Sequence, residues 1–255
     1  METPCARASG LVRPASYARV AAAAGVGRAM GRLSARVLRP RPYAAKGALQ
    51  CAVVAFDIAG FGDRRRDDDV QLYVRAGLYR ILEESFEDAG VPWRECHRED
   101  RGDGVLVVVP ALVATESLIS PLTERVRAGL RRHNKLSSEP AQIRLRMALH
   151  AGHVHFDAYG VAGQTLVHAF RLLEAPTFKT AFAATGRELG CVVSDRLYDD
   201  VIRHGPGLID PDLYDAISVS VKETEARAWV HFPPGVVRPA LNAWPHIVGP
   251  AAAGA

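Results

Sequence analysis

Two acidic turns are the parts of this sequence best suited to chemistry. Asp57 follows the apolar run 53–56 and leads into the glycine-containing segment 58–62. Asp103 lies in a second turn, directly before the apolar run 105–109. Carboxylates are ligands that hard divalent cations prefer, and glycines let phosphate approach backbone N–H groups closely. The pattern predicts that both acids meet at neighbouring strand ends and hold a divalent cation beside a phosphate group.

The surrounding apolar periodicity predicts alternating helices and strands. The predicted helices cover 71–89, 121–133, 163–174, 177–185 and 195–203, and the predicted strands cover 49–56, 93–99, 104–109, 142–150, 191–193, 216–222 and 227–232. A three-residue loop, 100–102, is predicted to set Glu99 directly opposite Asp103. Because this hairpin and a second one near 222–227 require antiparallel pairs, we expect an α+β sandwich. Its helices are expected on one side of a mostly antiparallel sheet.

The charge of the chain is unevenly distributed. Residues 1–46 contain nine basic residues and one acid, whereas the rest of the chain contains 23 basic residues and 27 acids. The part after residue 46 therefore has a net charge of −4, although the whole chain has +4. This balance does not indicate specific nucleic-acid binding, and the sequence has no apolar run long enough to cross a membrane.

Both ends of the chain differ in composition from the middle. Residues 1–46 are rich in Ala, Arg, Gly and Pro, and we interpret them as a disordered basic leader, an over-extended start or a targeting signal. The segment 233–255 is interpreted as a disordered tail. The four cysteines have no paired spacing, which indicates a reducing, cytoplasmic setting without structural zinc. In the charged segment 63–69, Arg65 and Arg66 either belong to a solvated loop or reach a triphosphate.

Four short motifs occur in one order along the chain. They are Phe56-Asp57-Ile58-Ala59-Gly60-Phe61, Gly102-Asp103, a helical segment from Gly163 to Arg171, and Val221-Lys222. In this order and spacing they resemble the class III nucleotidyl cyclases, which include adenylate, guanylate and bacterial pyrimidine cyclases. The resemblance covers about residues 50–232 and implies a ferredoxin-like or palm-type domain over residues 47–232.

The resemblance also implies a set of site residues. Asp57 and Asp103 are expected to ligate two Mg²⁺ or Mn²⁺ ions, Arg171 to stabilise the transferring phosphoryl group, and Lys222 to bind the terminal phosphates. Backbone N–H groups of one loop are expected to cradle the phosphates: Ile58, Ala59, Gly60, Phe61 and Gly62. The family's sites lie between the subunits of a homodimer, so the acids of one chain are expected to face Arg171 and Lys222 of the other.

Glu99 occupies the position at which the family reads the base. A carboxylate only accepts hydrogen bonds, so it favours guanine or uracil, which present a ring N–H, over adenine. The resemblance therefore favours GTP, with UTP possible. Two positions depart from the family pattern, because Val167 replaces the usual ribose-binding Asn and Gly160 has no side chain to read a base. Gln164, on the same helix face as Arg171, is a candidate substitute for that Asn.

Three hypotheses follow. The first is a metal-dependent cyclase that converts a nucleoside triphosphate to a 3′,5′-cyclic nucleotide and pyrophosphate at a homodimer interface. The second is a cyclase-like module that binds nucleotide, or a partner, with little or no turnover. The third is a nucleotide-consuming or sensing component of a bacterial defence system, which rests on analogy with the pyrimidine cyclases alone.

Overall fold

The computed structural model describes residues 47–234, which form one α+β unit. The predicted leader at 1–46 lies outside the described residues, as does the predicted tail apart from residues 233 and 234. Eight strands lie within residues 47–234: β1 Ala48–Ile58, β2 His97–Asp100, β3 Gly104–Val109, β4 Leu145–Asp157, β5 Gly160–Ala162, β6 Leu189–Ser194, β7 Asp215–Val221 and β8 Thr224–His231. The same described residues contain six α-helices: α1 Asp68–Asp88, α2 Glu116–Ile119, α3 Pro121–Leu136, α4 Gln164–Glu174, α5 Pro176–Thr185 and α6 Asp195–Asp200.

The strands form a single sheet in the order β2-β3-β1-β4-β6-β8-β7, with β5 paired to the end of β4. All pairs are antiparallel except that between β4 and β6. The mostly antiparallel sheet with packed helices confirms the predicted α+β sandwich. No helix among residues 47–234 is long and apolar enough to cross a membrane.

Helices cover both faces of the sheet, so the prediction that they lie on one side was wrong. Phe56 of β1 belongs to a cluster with Leu82 of α1 and Val126 of α3. Ala55, the preceding residue, belongs to a second cluster with Leu172 of α4 and Phe178 of α5. Successive side chains of a strand point to opposite faces, so the apolar run in β1 needs partners on both sides.

Several element boundaries differ from the prediction because local hydrogen bonds set them. Helix α1 begins at Asp68, since the side chain of Asp67 accepts a hydrogen bond from the Val70 N–H and caps the helix. Residues Trp93–Glu95 form a 3₁₀ turn instead of the start of a strand. There the Trp93 N–H donates to the Glu87 carboxylate at 3.1 Å. Strand β4 continues to Asp157 because it pairs with β1 as far as His155, opposite Ala48, and with β5 from there to Asp157.

Candidate functional site

The two predicted metal ligands lie at one end of the sheet, Asp57 on β1 and Asp103 in the turn that precedes the neighbouring strand β3. Asp57 of β1 pairs with Gly104 of β3, and the Ile58 N–H donates to the Asp103 carbonyl oxygen at 2.9 Å. The strands approach closely here, because a Cβ at Gly104 would lie 2.0 Å from the Phe56 carbonyl oxygen. The lack of a side chain at residue 104 therefore allows the Asp103 turn to close against the end of β1.

The turn that carries Asp103 is tighter than predicted. Arg101 N–H donates to the Gly104 carbonyl oxygen at 2.9 Å, so Gly102 and Asp103 alone form the turn. Gly102 has φ +84°, a conformation that glycine adopts without strain at the first central position of a two-residue hairpin. The predicted three-residue loop is therefore wrong, and Glu99 lies opposite Leu106 instead of Asp103.

Arg146 of β4 is a site residue that the sequence analysis did not single out. Its Nε and Nη2 donate to the two carboxylate oxygens of Asp57 at 2.6 and 2.7 Å, and both side chains are largely buried. Strand alternation predicts a polar face for Arg146, but the β1–β4 register is what places it beside Asp57. An arginine that binds both oxygens of a carboxylate in this way forms a strong, well-oriented pair.

Opposing effects act on the ionisation of Asp57. Burial raises the pKa of its carboxyl group and has the largest effect. The hydrogen bonds and positive charge of Arg146 lower it, as does the charge of Lys179 in α5, and the Asp103 carboxylate raises it slightly. The net effect is a pKa above the ordinary value of an aspartate.

The loop after β1 offers fewer N–H groups to phosphate than the sequence suggested. The Ile58 and Ala59 N–H groups donate to the carbonyl oxygens of Asp103 and Arg144, and the Phe61 N–H donates to the Ile58 carbonyl oxygen. The N–H groups of Gly60 and Gly62 donate no hydrogen bond within the described part of the chain, so they are available to phosphate. Gly60 has φ +67°, which turns the backbone at this point.

The neighbouring arginines have structural partners. Arg65 donates from Nη2 to the Asp63 carboxylate at 3.1 Å and from Nη1 to the Glu139 carboxylate at 2.7 Å. Arg66 donates to the carbonyl oxygens of Pro140 and Gln142. These contacts hold the loop against the segment after α3, and they favour the structural alternative for both arginines.

The two positions that the resemblance assigns to base reading lie next to each other. A Cβ at Gly160 would lie 2.6 Å from Oε1 of Glu99, and that oxygen accepts a hydrogen bond from the Val161 N–H at 3.3 Å. Glu99 also accepts from His97 Nε2 at 3.1 Å and from Arg101 Nη2 at 2.7 Å. Gly160 has φ +134°, which favours glycine, so the absent side chain and the Glu99 position depend on each other.

Arg171 and Lys222 come together at a different place. Arg171 of α4 forms ion pairs with Glu223 at 3.0 Å and with Glu174 at 3.8 Å. Its side chain is 14% exposed, and its buried Nε has no hydrogen-bond partner within the described residues. Lys222 was predicted in a strand but occupies the turn between β7 and β8, with φ +53°.

That turn and Asp57 lie at opposite ends of the sheet. The strand register places Asp57 level with the end of β8. Arg146, which pairs with Asp57, lies opposite Gly190 of β6, and Cys191, the residue after Gly190, lies opposite His231, the last residue of β8. The turn precedes Thr224, at the start of β8. The eight residues of β8 separate the two places by about 26 Å at about 3.3 Å per residue.

The predicted ribose-binding residue lies in a cavity of about 530 Å³ at the start of α4. Gln164, Val167, His168 and Thr224 all line it, and Val167 is 38% exposed. The rings of His168 and His150 lie 4.6 Å apart, and burial lowers the pKa of both, that of His150 to about 4. These imidazoles are therefore neutral near pH 7.

The donor set at Asp57 and Asp103 fits Mg²⁺ or Mn²⁺. No group of three or more His, Cys, Asp or Glu residues within 47–234 is placed to hold a metal ion, so a closed all-protein site is not formed there. Two carboxylates are the typical protein contribution to a Mg²⁺ site that is completed by water and substrate phosphates. Both oxygens of Asp57 accept a hydrogen bond from Arg146, so an ion at this carboxylate must use the remaining lone pairs of those oxygens or displace the arginine.

No protein-family model matches the sequence, and neither does any curated protein. Solved structures do match. An adenylate/guanylate cyclase/hydrolase from Silicibacter pomeroyi is 16% identical, with a TM-score of 0.54 over 74% of this chain and 99% of the other. The guanylyl cyclase Cya2 is 14% identical, with a TM-score of 0.52 over 72% and 91%. A bacterial light-regulated adenylyl cyclase is 11% identical, with a TM-score of 0.52 over 74% of this chain and 53% of the other. The chain therefore has the fold of the class III adenylate/guanylate cyclase catalytic domains.

Proposed function

We propose that this protein is a metal-dependent nucleotidyl cyclase that acts as a homodimer. It converts a nucleoside triphosphate to a 3′,5′-cyclic nucleotide and pyrophosphate. The observation that carries the proposal is the juxtaposition of Asp57, at the end of β1, with the turn that contains Asp103, within a fold shared with cyclases. The cyclase fold alone does not establish an activity, so the acids and the cationic residues carry the argument.

In this reaction the ribose 3′-oxygen attacks the α-phosphorus, the bond between the α-phosphorus and its bridging oxygen to the β-phosphate breaks, and pyrophosphate leaves. The 3′-hydroxyl proton passes to water. Asp57 and Asp103 would hold Mg²⁺ or Mn²⁺, which supplies activation of the 3′-oxygen and neutralisation of the leaving group. Gly60 and Gly62 would donate their N–H groups to the phosphates.

Arg171 and Lys222 would stabilise the charge on the transferring and terminal phosphates. The buried Nε of Arg171, which has no hydrogen-bond partner within residues 47–234, supports this role because it is a donor available to an anion. Glu223 and Glu174 now hold the guanidinium and would be displaced by phosphate. Removal of one such donor typically lowers the rate by about 10²–10³.

The separation of the two groups supports a site shared between chains. Lys222 precedes the first residue of β8, whereas Asp57 is level with the last residue of that strand. One chain therefore does not bring Lys222 and Asp57 together. In a twofold dimer each surface is used twice, and two sites of the same kind form. Each would combine Asp57, Asp103 and the loop of one chain with Glu99, Arg171 and Lys222 of the other.

Glu99 supports GTP as the favoured substrate, with UTP as a further candidate, because its carboxylate accepts a hydrogen bond from a ring N–H.

Gln164 lines the cavity on α4 together with Val167, which supports Gln164 as a contact for the ribose. Gln164→Ala is expected to raise the KM for nucleotide. Unchanged kinetics in an otherwise active enzyme would reject this role.

A nucleotide-binding module without turnover is the second candidate. The apolar Val167, at the position where the family has Asn, favours it, because valine makes no hydrogen bond to a ribose. The pairing of Asp57 with Arg146 also favours it, because it competes with a metal ion.

The test is to incubate the purified chain with each of the four NTPs and Mn²⁺ and to search for cyclic products by mass spectrometry. Wild type is expected to form a cyclic nucleotide, and Asp57→Asn to lower the rate by about a hundredfold or more. The exposed α6 acid variant Asp199→Asn is the control and should retain wild-type turnover. Nucleotide binding without product from any NTP would establish the second candidate.

A further inference from the structure

Glu99 and Arg101 form a joined pair on the edge strand of the sheet. Oε2 of Glu99 accepts a hydrogen bond from Nη2 of Arg101 at 2.7 Å. The carboxylate side chain is 26% exposed and the guanidinium side chain 44%, so the pair can be reached from solvent. This contact uses one of the five N–H groups of Arg101, and the structure shows no second hydrogen bond from that guanidinium to residues 47–234.

Aromatic and aliphatic side chains surround this pair. The guanidinium of Arg101 lies over the ring of Phe170 in α4, 5.2 Å from the ring centroid. Phe156, Val161 and Phe170 are partly buried and pack against one apolar cluster beneath the pair. The cation–π contact with Phe170 and the hydrogen bond to Glu99 hold the guanidinium of Arg101 at this place.

We propose that Arg101 and Glu99 together select nucleotides whose base carries a carbonyl oxygen next to a ring N–H. This inference rests on the proposed nucleotide site and extends it to Arg101. Arg101 donates to the carbonyl oxygen while Glu99 accepts from the adjacent ring N–H. Guanine and uracil offer this pattern. Adenine and cytosine offer an amino group next to a ring acceptor. Their amino donor would then face the Arg101 donors, and their ring acceptor would face the Glu99 carboxylate.

The structure also indicates that the 2-amino group of guanine contributes little. Oε1 of Glu99 accepts from His97 Nε2 and from the Val161 N–H, which occupies the two lone pairs of that oxygen. Gly160, beside it, has no side chain that could accept a further hydrogen bond. One lone pair on Oε2 remains, enough for a ring N–H alone. The pair therefore recognises keto bases as a class.

The test measures binding without turnover by calorimetry, using 3′-deoxynucleoside triphosphates and Mg²⁺. These nucleotides lack the attacking hydroxyl and cannot cyclise. The bases are guanine, hypoxanthine, uracil, adenine, 2-aminoadenine and cytosine. Guanine and hypoxanthine should bind within about twofold of each other, and both should bind about tenfold more tightly than adenine and 2-aminoadenine. Uracil should exceed cytosine by a similar factor.

Arg101→Met keeps an unbranched apolar side chain and removes the guanidinium donors, so it should reduce the tenfold preference for keto bases to the part that Glu99 alone supplies. Arg94→Met, which makes the same charge change at an exposed position near the start of β2, should leave the preference intact. Tenfold weaker binding of hypoxanthine than guanine, an unaltered preference in Arg101→Met, or no nucleotide binding would overturn the inference. Retained keto selectivity without any cyclic product from ordinary NTPs would reject the cyclase proposal alone.

Discussion

The carboxylate of Asp57 is held in surroundings that disfavour its charge. Removal from water raises its pKa, and Arg146 offsets part of that penalty with two short hydrogen bonds. A carboxylate and a guanidinium that are both largely buried depend strongly on each other, because loss of one leaves the other charged and poorly solvated. The ion pair therefore matters for folding as well as for the site.

Arg146→Met is expected to lower the free energy of unfolding by about 3 kcal/mol at pH 7. The folded-state pKa of Asp57 already exceeds its unfolded value, and loss of Arg146 raises it further. Ionisation of Asp57 therefore weakens folding as pH rises from the unfolded pKa through the folded one. The loss of unfolding free energy caused by Arg146→Met should be smaller at pH 4 than at pH 7, as measured by urea unfolding at each pH.

Arg144→Met is the matched control for this experiment. Arg144 donates to the carbonyl oxygens of Arg187 and Phe182 and lies over the Phe182 ring, so it has no carboxylate partner there. Its destabilisation should not depend on the ionisation of Asp57. A deficit for Arg146→Met that stays constant between pH 4 and pH 8 would contradict the proposed coupling.

At this scale the sequence located the acids but not their partner. The motifs around Asp57 and Asp103 identify both residues, because the residue types and glycines are local features. Arg146 is 89 residues from Asp57 in the chain, and only the register between two long strands sets them side by side. Local spacing carries no information on that register, so the ion pair was not predictable from it.

At the scale of elements, two tight hairpin turns place site residues in different ways. Gly102 supplies the positive φ in the β2–β3 turn, so Asp103 follows without backbone strain. The β7–β8 turn has Lys222 at φ +53°, a region that disfavours a residue with a Cβ and a long side chain. Strain kept at such a position is common at functional sites.

Lys222→Asn is expected to raise the free energy of unfolding by about 1 kcal/mol, because asparagine tolerates the left-handed region. It should also lower turnover, since the positive charge is lost. Lys222→Gln removes the same charge and keeps the strain, so it should lower turnover without the gain in stability. Equal thermal stability of the two variants would contradict the strain argument.

The turns also show where prediction of elements stopped. Alternating apolar residues identified both hairpins, yet one loop was predicted a residue too long and Lys222 was assigned to a strand. Turn length depends on which backbone groups bond across the hairpin, here the Arg101 N–H and the Gly104 carbonyl oxygen. The side-chain pattern of the two strands does not specify that pairing.

For the whole molecule, the sheet separates the acids from the cationic residues. The class of fold was predictable, because the strand pattern and hairpins require an antiparallel sheet. The distribution of helices over both faces was not, since an apolar run such as 53–56 fits a strand covered on one side or on two. The separation of Lys222 from Asp57 is the reason for the proposal that two chains assemble the site.

Co-expression of Asp57→Asn with Arg171→Met is expected to restore roughly a quarter of wild-type turnover, although each variant alone is inactive. Random pairing makes half of the dimers mixed, and each mixed dimer has one site with no substitution and one with both. Cyclic product formation by the purified mixture measures this recovery.

Asp57→Asn co-expressed with Asp103→Asn is the control for complementation. Both residues belong to the same half of each site, so every site in a mixed dimer keeps one substitution and no recovery is expected. Absence of recovery in the first mixture, with mixed dimers verified by mass spectrometry, would show that the site does not combine Asp57 and Arg171 from different chains.

The contact between Arg146 and Asp57 bears on the order in which ligands arrive. In the resting chain the acid already has a neutralising counter-ion in the form of a side chain. A free cation that displaced that guanidinium would leave a largely buried arginine without its carboxylate partner. In the proposed reaction, a nucleotide that arrives with its cation would supply both missing charges at once, so the pair would favour joint over stepwise loading.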